Sequence, residues 1–473
     1  MKLSGAGSVT VYSGSTVAFT IRFESPKSNA VAGGTPPQFV NGYLPIGQYA
    51  SGQIWGSIYS SLANVAGNTA NTDRTVTTDV ATKITNGYAA MGISLGSPGG
   101  YVQFEFDGDG IANSAKNKYG IDFVVYGNPF NGNPEAGSVK VSQDGDTWYE
   151  LAGSRYYNSE TKRNTTISYK MIPTSTYGTD KKADIYYAIG SVPTGTGTTG
   201  WTLYKSNVVW WPESTSEGYG RVSGVDETID GTKTVSDVTY EQLSETANGY
   251  NCWLISYDDV TLVKDSDTTD DYLFGYADVR IVGNSKDGTA CNPYATVPTS
   301  GTASVLGGDG FDISWAVNSN GEPVNLTSVK YVRVYTSAAL SASDLDIMPT
   351  PGIFGETSTE VCGMFVAQPE TANVGSTGFA TVAYSAGTSA LAVKKPNVLR
   401  MQTITVPSGT NSTTLTVTST ADNFFVGDTK VADNATTATK TVNRADGATQ
   451  YVRVITQTGN KEASINVIKV VFQ

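Results

Sequence analysis

Two groups of acidic and amide side chains have the residue types and the spacing that could bind a metal ion. In the first group, carboxylates alternate along a strand-like run that ends in the letters DGDG, and an asparagine follows. In the second group, two aspartates lie three positions apart in the letters GGDGFD. Oxygen ligands at this density suit calcium, which takes about six to eight of them. The predicted ligands are Asp107, Asp109, Asn113, Asp309 and Asp312.

These groups have a second interpretation that involves no metal. Asp-Gly and Asn-Gly pairs form tight turns because their backbones tolerate the conformations that turns require. The sequence therefore predicts turns at both places and, as an open alternative, a structural calcium ion as the cofactor.

A cluster of aromatic residues lies in a stretch rich in glycine, serine and threonine. Aromatic faces beside polar side chains bind sugar rings by stacking and hydrogen bonding. The run at 208–212 also has the pattern of a buried strand end, so some of these side chains are expected in a core instead. The predicted ligand-binding residues are Trp201, Tyr204, Trp210, Trp211 and Tyr219.

Histidine is absent from the chain, and this excludes several classes of enzyme. A Ser-His-Asp triad, a Cys-His dyad and a histidine-ligated zinc site cannot form. The G-x-S-x-G pattern at 92–96 is therefore not read as a hydrolase nucleophile. A glycosidase or lyase that uses two carboxylates needs no histidine and stays as the enzymatic alternative. Its formal pairs are Asp107 with Asp144, and Glu135 with Glu150.

The charge balance bears on partners and location. The 473 residues carry a net charge of −12 with a pI near 4.6, which disfavours nucleic acid and anionic membranes as partners. No apolar run approaches the length of a membrane-spanning helix, and the composition favours a secreted or cell-surface protein. Cys252, Cys291 and Cys362 are too few and too widely spaced for a disulfide framework. We expect buried thiols, with one bridge as the alternative.

The elements that must position these residues are predicted to be strands. Glycine and tyrosine are abundant, with 51 and 27 residues. Short strand-like runs, such as those at 101–106, 138–142 and 464–472, are separated by turn residues, which favours an all-β fold. The predicted units are an N-terminal hairpin at 1–35, a large jelly-roll-like β-sandwich at 36–366 and a small immunoglobulin-like β-sandwich at 373–473, read as a spacer. Short helices are predicted at 54–64 and 239–245, and long loops at 174–200 and 284–308.

A set of motifs in fixed order extends beyond composition. It comprises VQFEFDGDG at 102–110, YGIDFVVYGNPF at 119–130, PEAGSVKVSQDG at 134–145, WYELAGS at 148–154, GYAD at 275–278, GGDGFDISWAV at 307–317 and IFGETSTEV at 353–361. Over about residues 38–365 the chain resembles a family of large β-sandwich surface proteins of gut bacteria, in Bacteroidetes and Firmicutes. The C-terminal hundred residues resemble the cadherin-like or immunoglobulin-like modules that often follow such domains. The resemblance implies a fold and a location, and it brings no catalytic residues.

The sequence thus predicts a non-enzymatic binding protein of the bacterial surface. Its expected partner is a glycan or a host or cell-surface protein, with calcium assisting. A purely structural role is the second hypothesis, in which an open sheet edge pairs with a partner strand. The hairpin near the start and the strand-like last ten residues motivate that hypothesis. The carboxylate glycosidase or lyase is the third.

Overall fold

The computed structural model describes the chain in segments. They are residues 7–13, 16–23, 38–43, 49–50, 53–54, 93–95, 98–99, 101–106, 108–127, 129, 135–174, 182–209, 232–235, 238–264, 273–280, 292–296, 308–340, 359–367, 375–384, 391–392 and 400–473. The regular structure in these segments is β-strand, with short 3₁₀ turns at Lys118–Gly120, Ile313–Trp315 and Arg444–Asp446 and no α-helix. In this part of the chain, no helix is long and apolar enough to cross a membrane.

Strands in the first ninety residues form hairpins or join a larger sheet. They are β1 Gly7–Ser13, β2 Thr16–Phe23, β3 Gln38–Tyr43, β4 Tyr49–Ala50 and β5 Gln53–Ile54. The middle of the chain contributes β6 Ile93–Ser94, β7 Tyr101–Glu105, β8 Ile111–Ala112, β9 Phe123–Tyr126, β10 Gly137–Ser142, β11 Tyr149–Leu151, β12 Lys162–Pro173, β13 Lys182–Ile189, β14 Thr202–Val209, β15 Thr232–Val235, β16 Val238–Ala247, β17 Tyr250–Lys264, β18 Asp309–Phe311, β19 Ala316–Val317, β20 Ser328–Val329, β21 Tyr331–Thr336, β22 Ala338–Leu340, β23 Glu360–Val361 and β24 Gly363–Val366.

The last part of the chain contributes a separate set of strands. They are β25 Thr381–Tyr384, β26 Leu391–Ala392, β27 Arg400–Val406, β28 Ser412–Thr418, β29 Asn423–Val426, β30 Thr429–Lys430, β31 Thr437–Asn443, β32 Thr449–Gln457 and β33 Ser464–Phe472. The predicted all-β fold, with a large jelly-roll-like sandwich and a small immunoglobulin-like one, is confirmed.

A six-stranded sheet forms one wall of the large sandwich, in the order β19-β11-β10-β21-β7-β3. Side chains alternate between the two faces of a strand, and one face of this sheet carries the apolar side chains that form the core. Val102, Val139 and Val334 are fully buried and belong to one core with Phe123 and Phe311 of the facing three-stranded sheet β18-β9-β24. The alternation at 101–106 and 138–142 that predicted strands is thus the alternation that fills the core.

A second, seven-stranded sheet has the order β14-β13-β12-β17-β16-β15, with β22 paired to β17. It corrects two predictions. The helix predicted at 239–245 is wrong, because these residues lie within β16 and pair with β17 across a turn at Asn248 and Gly249. Both turn residues have positive φ angles, of 52° and 86°, as a two-residue hairpin turn requires.

The loop predicted at 174–200 is also wrong in its centre, since β13 occupies Lys182–Ile189. Of the helix predicted at 54–64, Ile54 ends strand β5 and the other residues lie outside the described segments. The loop predicted at 284–308 is described only at 292–296 and 308. Cys252 and Cys362 are fully buried, whereas Cys291 lies outside the described residues.

The C-terminal module has two sheets, β26-β25-β28-β31 and β27-β33-β32-β29-β30. It has a core of its own, with Val417, Ile468 and Val470 among its fully buried members. Strand β33 lies between β27, to which it is parallel, and β32, to which it is antiparallel.

This module also shares a second core with the large sandwich. Phe425, Ile455 and Ile465 are 2% exposed or less and belong to the same apolar cluster as Phe274 and the large sandwich's other aromatic residues. The rings of Phe274 and Phe425 lie 5.9 Å apart.

A buried cation reinforces the junction between the two units. The Arg453 guanidinium, on β32, donates hydrogen bonds to the carbonyl oxygens of Ala152 and Gly153 in the large sandwich. At the rim, Lys469 forms an ion pair with Glu322 at 2.9 Å. A module packed in this way is held in one orientation by apolar burial and hydrogen bonds together.

Candidate metal centre

Three acidic residues from distant parts of the sequence meet at one rim of the large sandwich. One carboxylate oxygen from each of Glu135, Asp278 and Glu360 lies within 4.8 Å of the other two. Asp278 is fully buried, Glu360 is 7% exposed and Glu135 is partly exposed. This acidic triad could hold a metal ion, and within the described segments it is the group of acidic, histidine or cysteine side chains that meets this geometry.

Backbone pairing brings the three segments together. Gly137 and Ala277 exchange two hydrogen bonds, of 3.0 and 2.8 Å, which place the residues before β10 beside Asp278. The Glu360 N–H donates to Asp278 Oδ2 at 2.9 Å, so the start of β23 is held directly to this carboxylate. The Thr359 hydroxyl donates to the Glu135 carbonyl oxygen at 2.8 Å.

Two backbone features show how closely the triad is built. Asp278 has a φ of 61°, a left-handed conformation that costs most residues energy and that aspartate tolerates better than most. Gly127, at the end of β9, packs against this residue, and a Cβ atom there would lie 2.2 Å from Asp278 Oδ1. Only glycine leaves room for the carboxylate at this position.

Asp309, one of the predicted calcium ligands, is a buried neighbour of the triad. Its two carboxylate oxygens accept hydrogen bonds from the N–H groups of Val279 and Arg280, both at 3.0 Å. Burial raises the pKa of Asp309 to about 8, against the effect of these hydrogen bonds and of the Arg280 charge, and the negative charge of Asp278 raises it further. The side chain fixes the backbone that follows Asp278, which positions the triad.

The other predicted calcium ligands lie in different surroundings. Asp109 is exposed on the turn before β8. The Asn113 amide donates to the Leu326 carbonyl oxygen at 3.1 Å. Asp312 is fully buried and caps the 3₁₀ turn at Ile313–Trp315 by accepting from Ser314. Asp107 lies outside the described residues. The described residues of the first predicted group, Asp109 and Asn113, are therefore not part of the triad, whereas Asp309 of the second group is its neighbour.

The predicted aromatic set is divided between two faces of the seven-stranded sheet. Tyr204 packs among buried tyrosines, with ring centroids 6.1 Å from Tyr169 and 6.4 Å from Tyr187. Trp201 lies across the opposite face, where its ring is 6.0 Å from the Lys170 ammonium. Trp210, Trp211 and Tyr219 lie outside the described residues.

A small polar network surrounds Trp201. Lys170 forms an ion pair with Glu245 at 2.6 Å and donates to the Gly197 carbonyl oxygen at 2.8 Å. The other Glu245 oxygen accepts from the Gly197 N–H at 2.8 Å. The Trp201 indole N–H is buried and has no hydrogen-bond partner among the described residues. Beside it, the side chain of Leu203 is 48% exposed.

Three of the four residues in the formal glycosidase pairs are described by the structure, and Asp107 is not. Asp144 is exposed and caps a turn by accepting from Asp146, Thr147 and Ser142, and these hydrogen bonds lower its pKa. Glu150 accepts from the Thr261 hydroxyl between the two large sheets, whereas Glu135 belongs to the triad.

Comparison of the chain with protein-family models and with curated proteins gives no match. The family resemblance of the motifs therefore stays a prediction, of which the all-β architecture with several antiparallel sheets is confirmed. The sequence analysis did not single out the triad as a site, but three of its motifs contain it. Glu135 lies in PEAG, Asp278 in GYAD and Glu360 in STEV, so acidic residues inside separate motifs were the available signal.

Proposed function

We propose that this chain is a non-enzymatic binding protein, secreted or on a bacterial surface, that holds calcium at the acidic triad and binds a glycan. The triad is the observation that carries the proposal. Three carboxylates this close repel one another, and burial removes the water that would screen them. A divalent cation offsets both costs, and it ties three distant segments together.

The ligand set favours calcium over other metals. Zinc prefers histidine and cysteine ligands, and the triad has neither. Magnesium keeps several of its waters and demands strict octahedral geometry. Calcium accepts mono- or bidentate carboxylates in flexible geometry, and the partly exposed Glu135 leaves one side for waters or a ligand oxygen.

The glycan half of the proposal is supported by the surroundings of Trp201. Sugar recognition combines an apolar ring face with hydrogen-bonding groups at its edge. Trp201 supplies the ring, and the partly exposed Glu245 carboxylate, held by the buried Lys170 ammonium, supplies an acceptor beside it. Leu203 extends the apolar surface on the same strand edge.

Glycan-array binding, run in calcium and in EDTA, tests both halves. We expect the wild-type chain to bind in calcium only, and Asp278→Asn to lose binding. The exposed Asp109→Asn serves as the matched acidic control and should bind normally. Trp201→Ala should weaken binding by about 1 kcal/mol, roughly fivefold in affinity, whereas Val192→Ala in the same loop should not.

Other outcomes of the array identify the alternatives. Binding that survives EDTA would contradict the calcium half and leave Trp201 as the determinant. No binding in either condition would contradict the glycan half and turn attention to strand addition at sheet edges. For that alternative, β33 offers no open edge, because both of its sides are paired, and the β1–β2 hairpin is the remaining candidate.

A further inference from the structure

A second group of buried carboxylates lies where the C-terminal module meets the large sandwich. Asp122 precedes β9, Asp312 follows β18, and Glu462 lies in the turn before β33. All three are 1% exposed or less. Within the described part of the chain, no lysine or arginine forms an ion pair with any of them, and the charged groups that act on Asp122 are the carboxylates of Asp312 and Glu462.

The oxygens of these carboxylates are unequally occupied. Asp122 is fully used, since Oδ1 accepts from the Ser114 N–H at 2.9 Å and the Asn117 amide at 3.1 Å, and Oδ2 accepts from the Ile313 N–H at 2.9 Å. Asp312 Oδ1 accepts from Ser314, while Asp312 Oδ2 accepts no hydrogen bond from any residue in the described segments.

The free Asp312 oxygen and the Glu462 side chain both lie against Gly120. Glu462 Oε2 accepts from the Ser376 hydroxyl at 3.1 Å. A Cβ atom on Gly120 would lie 2.5 Å from Glu462 Cγ and 2.9 Å from Asp312 Oδ2. Asp312 and Glu462 therefore lie close together at the junction, and they pack so tightly on Gly120 that a larger residue there would displace one of them.

We propose that Asp312 Oδ2 and the Glu462 carboxylate together bind a calcium-type cation, with Asp122 supplying further negative charge nearby. Three ionised carboxylates without a cation would be an uncompensated buried charge of −3, which proteins do not tolerate. Because both oxygens of Asp122 are already bonded, two side chains are the direct ligands, and carbonyl or water oxygens complete the shell.

Such a cation would join the two units directly. Glu462 belongs to the C-terminal module and Asp312 to the large sandwich. The backbone around the site already crosses the junction, since the Tyr119 N–H donates to the Asn460 carbonyl at 2.8 Å and the Gly375 N–H donates to the Ala115 carbonyl at 3.0 Å. This site is independent of the triad, so it stands or falls separately from the proposed function.

Calcium stoichiometry, measured by equilibrium dialysis of the full chain with calcium alone, tests the proposal. The wild type should bind about two ions, and Asp312→Asn or Glu462→Gln should each bind one fewer than the wild type. The second variant lies in the other unit and serves if the first does not fold. The exposed Asp446→Asn should match the wild type.

Variants of the triad keep the two sites distinguishable. If Asp278→Asn retains one ion and its double variant with Asp312→Asn retains none, both sites stand. If the wild type binds one ion that only Asp312→Asn removes, the junction site stands and the triad fails. A stoichiometry unchanged by Asp312→Asn and Glu462→Gln overturns the proposal.

Discussion

The buried glutamate between the two large sheets allows a quantitative prediction. Glu150 is 5% exposed, and its Oε1 has no hydrogen-bond partner among the described residues. Burial raises its pKa from the ordinary value of 4.5 to about 7, although Lys140 and the Thr261 hydroxyl oppose the rise. Between these two pH values the folded chain keeps a proton that the unfolded chain has released. Stability therefore falls as the pH rises through this window.

The magnitude follows from the width of that window. Each pH unit between the unfolded and folded pKa values lowers the free energy of unfolding by about 1.4 kcal/mol. The ionisation of Glu150 therefore destabilises the chain by about 3 kcal/mol at pH 8 relative to pH 4. Glu150→Gln keeps the shape and cannot ionise. We expect the free energy of unfolding of the variant, minus that of the wild type, to increase by about 3 kcal/mol between pH 4 and pH 8.

Urea unfolding followed by tryptophan fluorescence at the two pH values measures this difference. Other buried carboxyls titrate in both chains and cancel. Glu105→Gln is the matched control. Glu105 lies in the same six-stranded sheet as Glu150, but its side chain is 32% exposed and forms an ion pair with Lys330. Exposed ion pairs contribute about 1 kcal/mol or less to stability. A difference that stays constant with pH for Glu150→Gln, or that falls toward pH 8, would refute the reasoning.

Three further substitutions test the geometry of the fold. Gly127→Ala places a methyl group against Asp278, and equilibrium dialysis should then show one bound calcium ion fewer. The control Gly195→Ala, whose methyl group lies in open space, should bind as many ions as the wild type. An unchanged ion count for Gly127→Ala would contradict the triad. Phe425→Ala should lower the free energy of unfolding by about 3–5 kcal/mol, and a loss under about 1 kcal/mol in urea unfolding would show that the shared core contributes little. At Gly249 a methyl group has space, but the φ of 86° is unfavourable for alanine. Gly249→Ala should therefore lower the free energy of unfolding by about 1–2 kcal/mol in the same assay. An unchanged value would mean that the turn relaxes to another conformation.

Strands with clear alternation were predictable because their periodicity records burial directly. The run at 464–472 matches β33 residue for residue, and 138–142 matches β10 within one residue. The strand at 238–247 was missed because its polar, helix-compatible residues gave no strong period. The Asn248-Gly249 pair, a strong hairpin signal, was the local feature that could have corrected it.

The sites were less predictable than the strands, for a physical reason. Asp278 and Glu360 are 82 residues apart in the chain, and only sheet pairing brings them together. Turn residues such as Asp109 have the same local letters as ligands, and local letters do not say which side chains meet. Similarly, Trp201 and Tyr204 were grouped because they lie in one stretch rich in glycine, serine and threonine. In the structure Tyr204 packs near Tyr169, whereas Trp201 lies near Lys170 on the other face of the sheet.

The order of the strands has a consequence for how the chain is made. Strand β9 pairs with β24, whose residues 363–366 are translated more than two hundred positions later. Strand β27 pairs with β33, so it cannot form its ladder before residues 464–472 are translated. Neither sheet can close while the ribosome is still supplying these segments, so we expect both units to complete their folding late, after almost all of this sequence has emerged. Pairings this distant also fold slowly. A chain that remains open until then can pass through an export channel, and it needs protection from aggregation until β24 and β33 arrive.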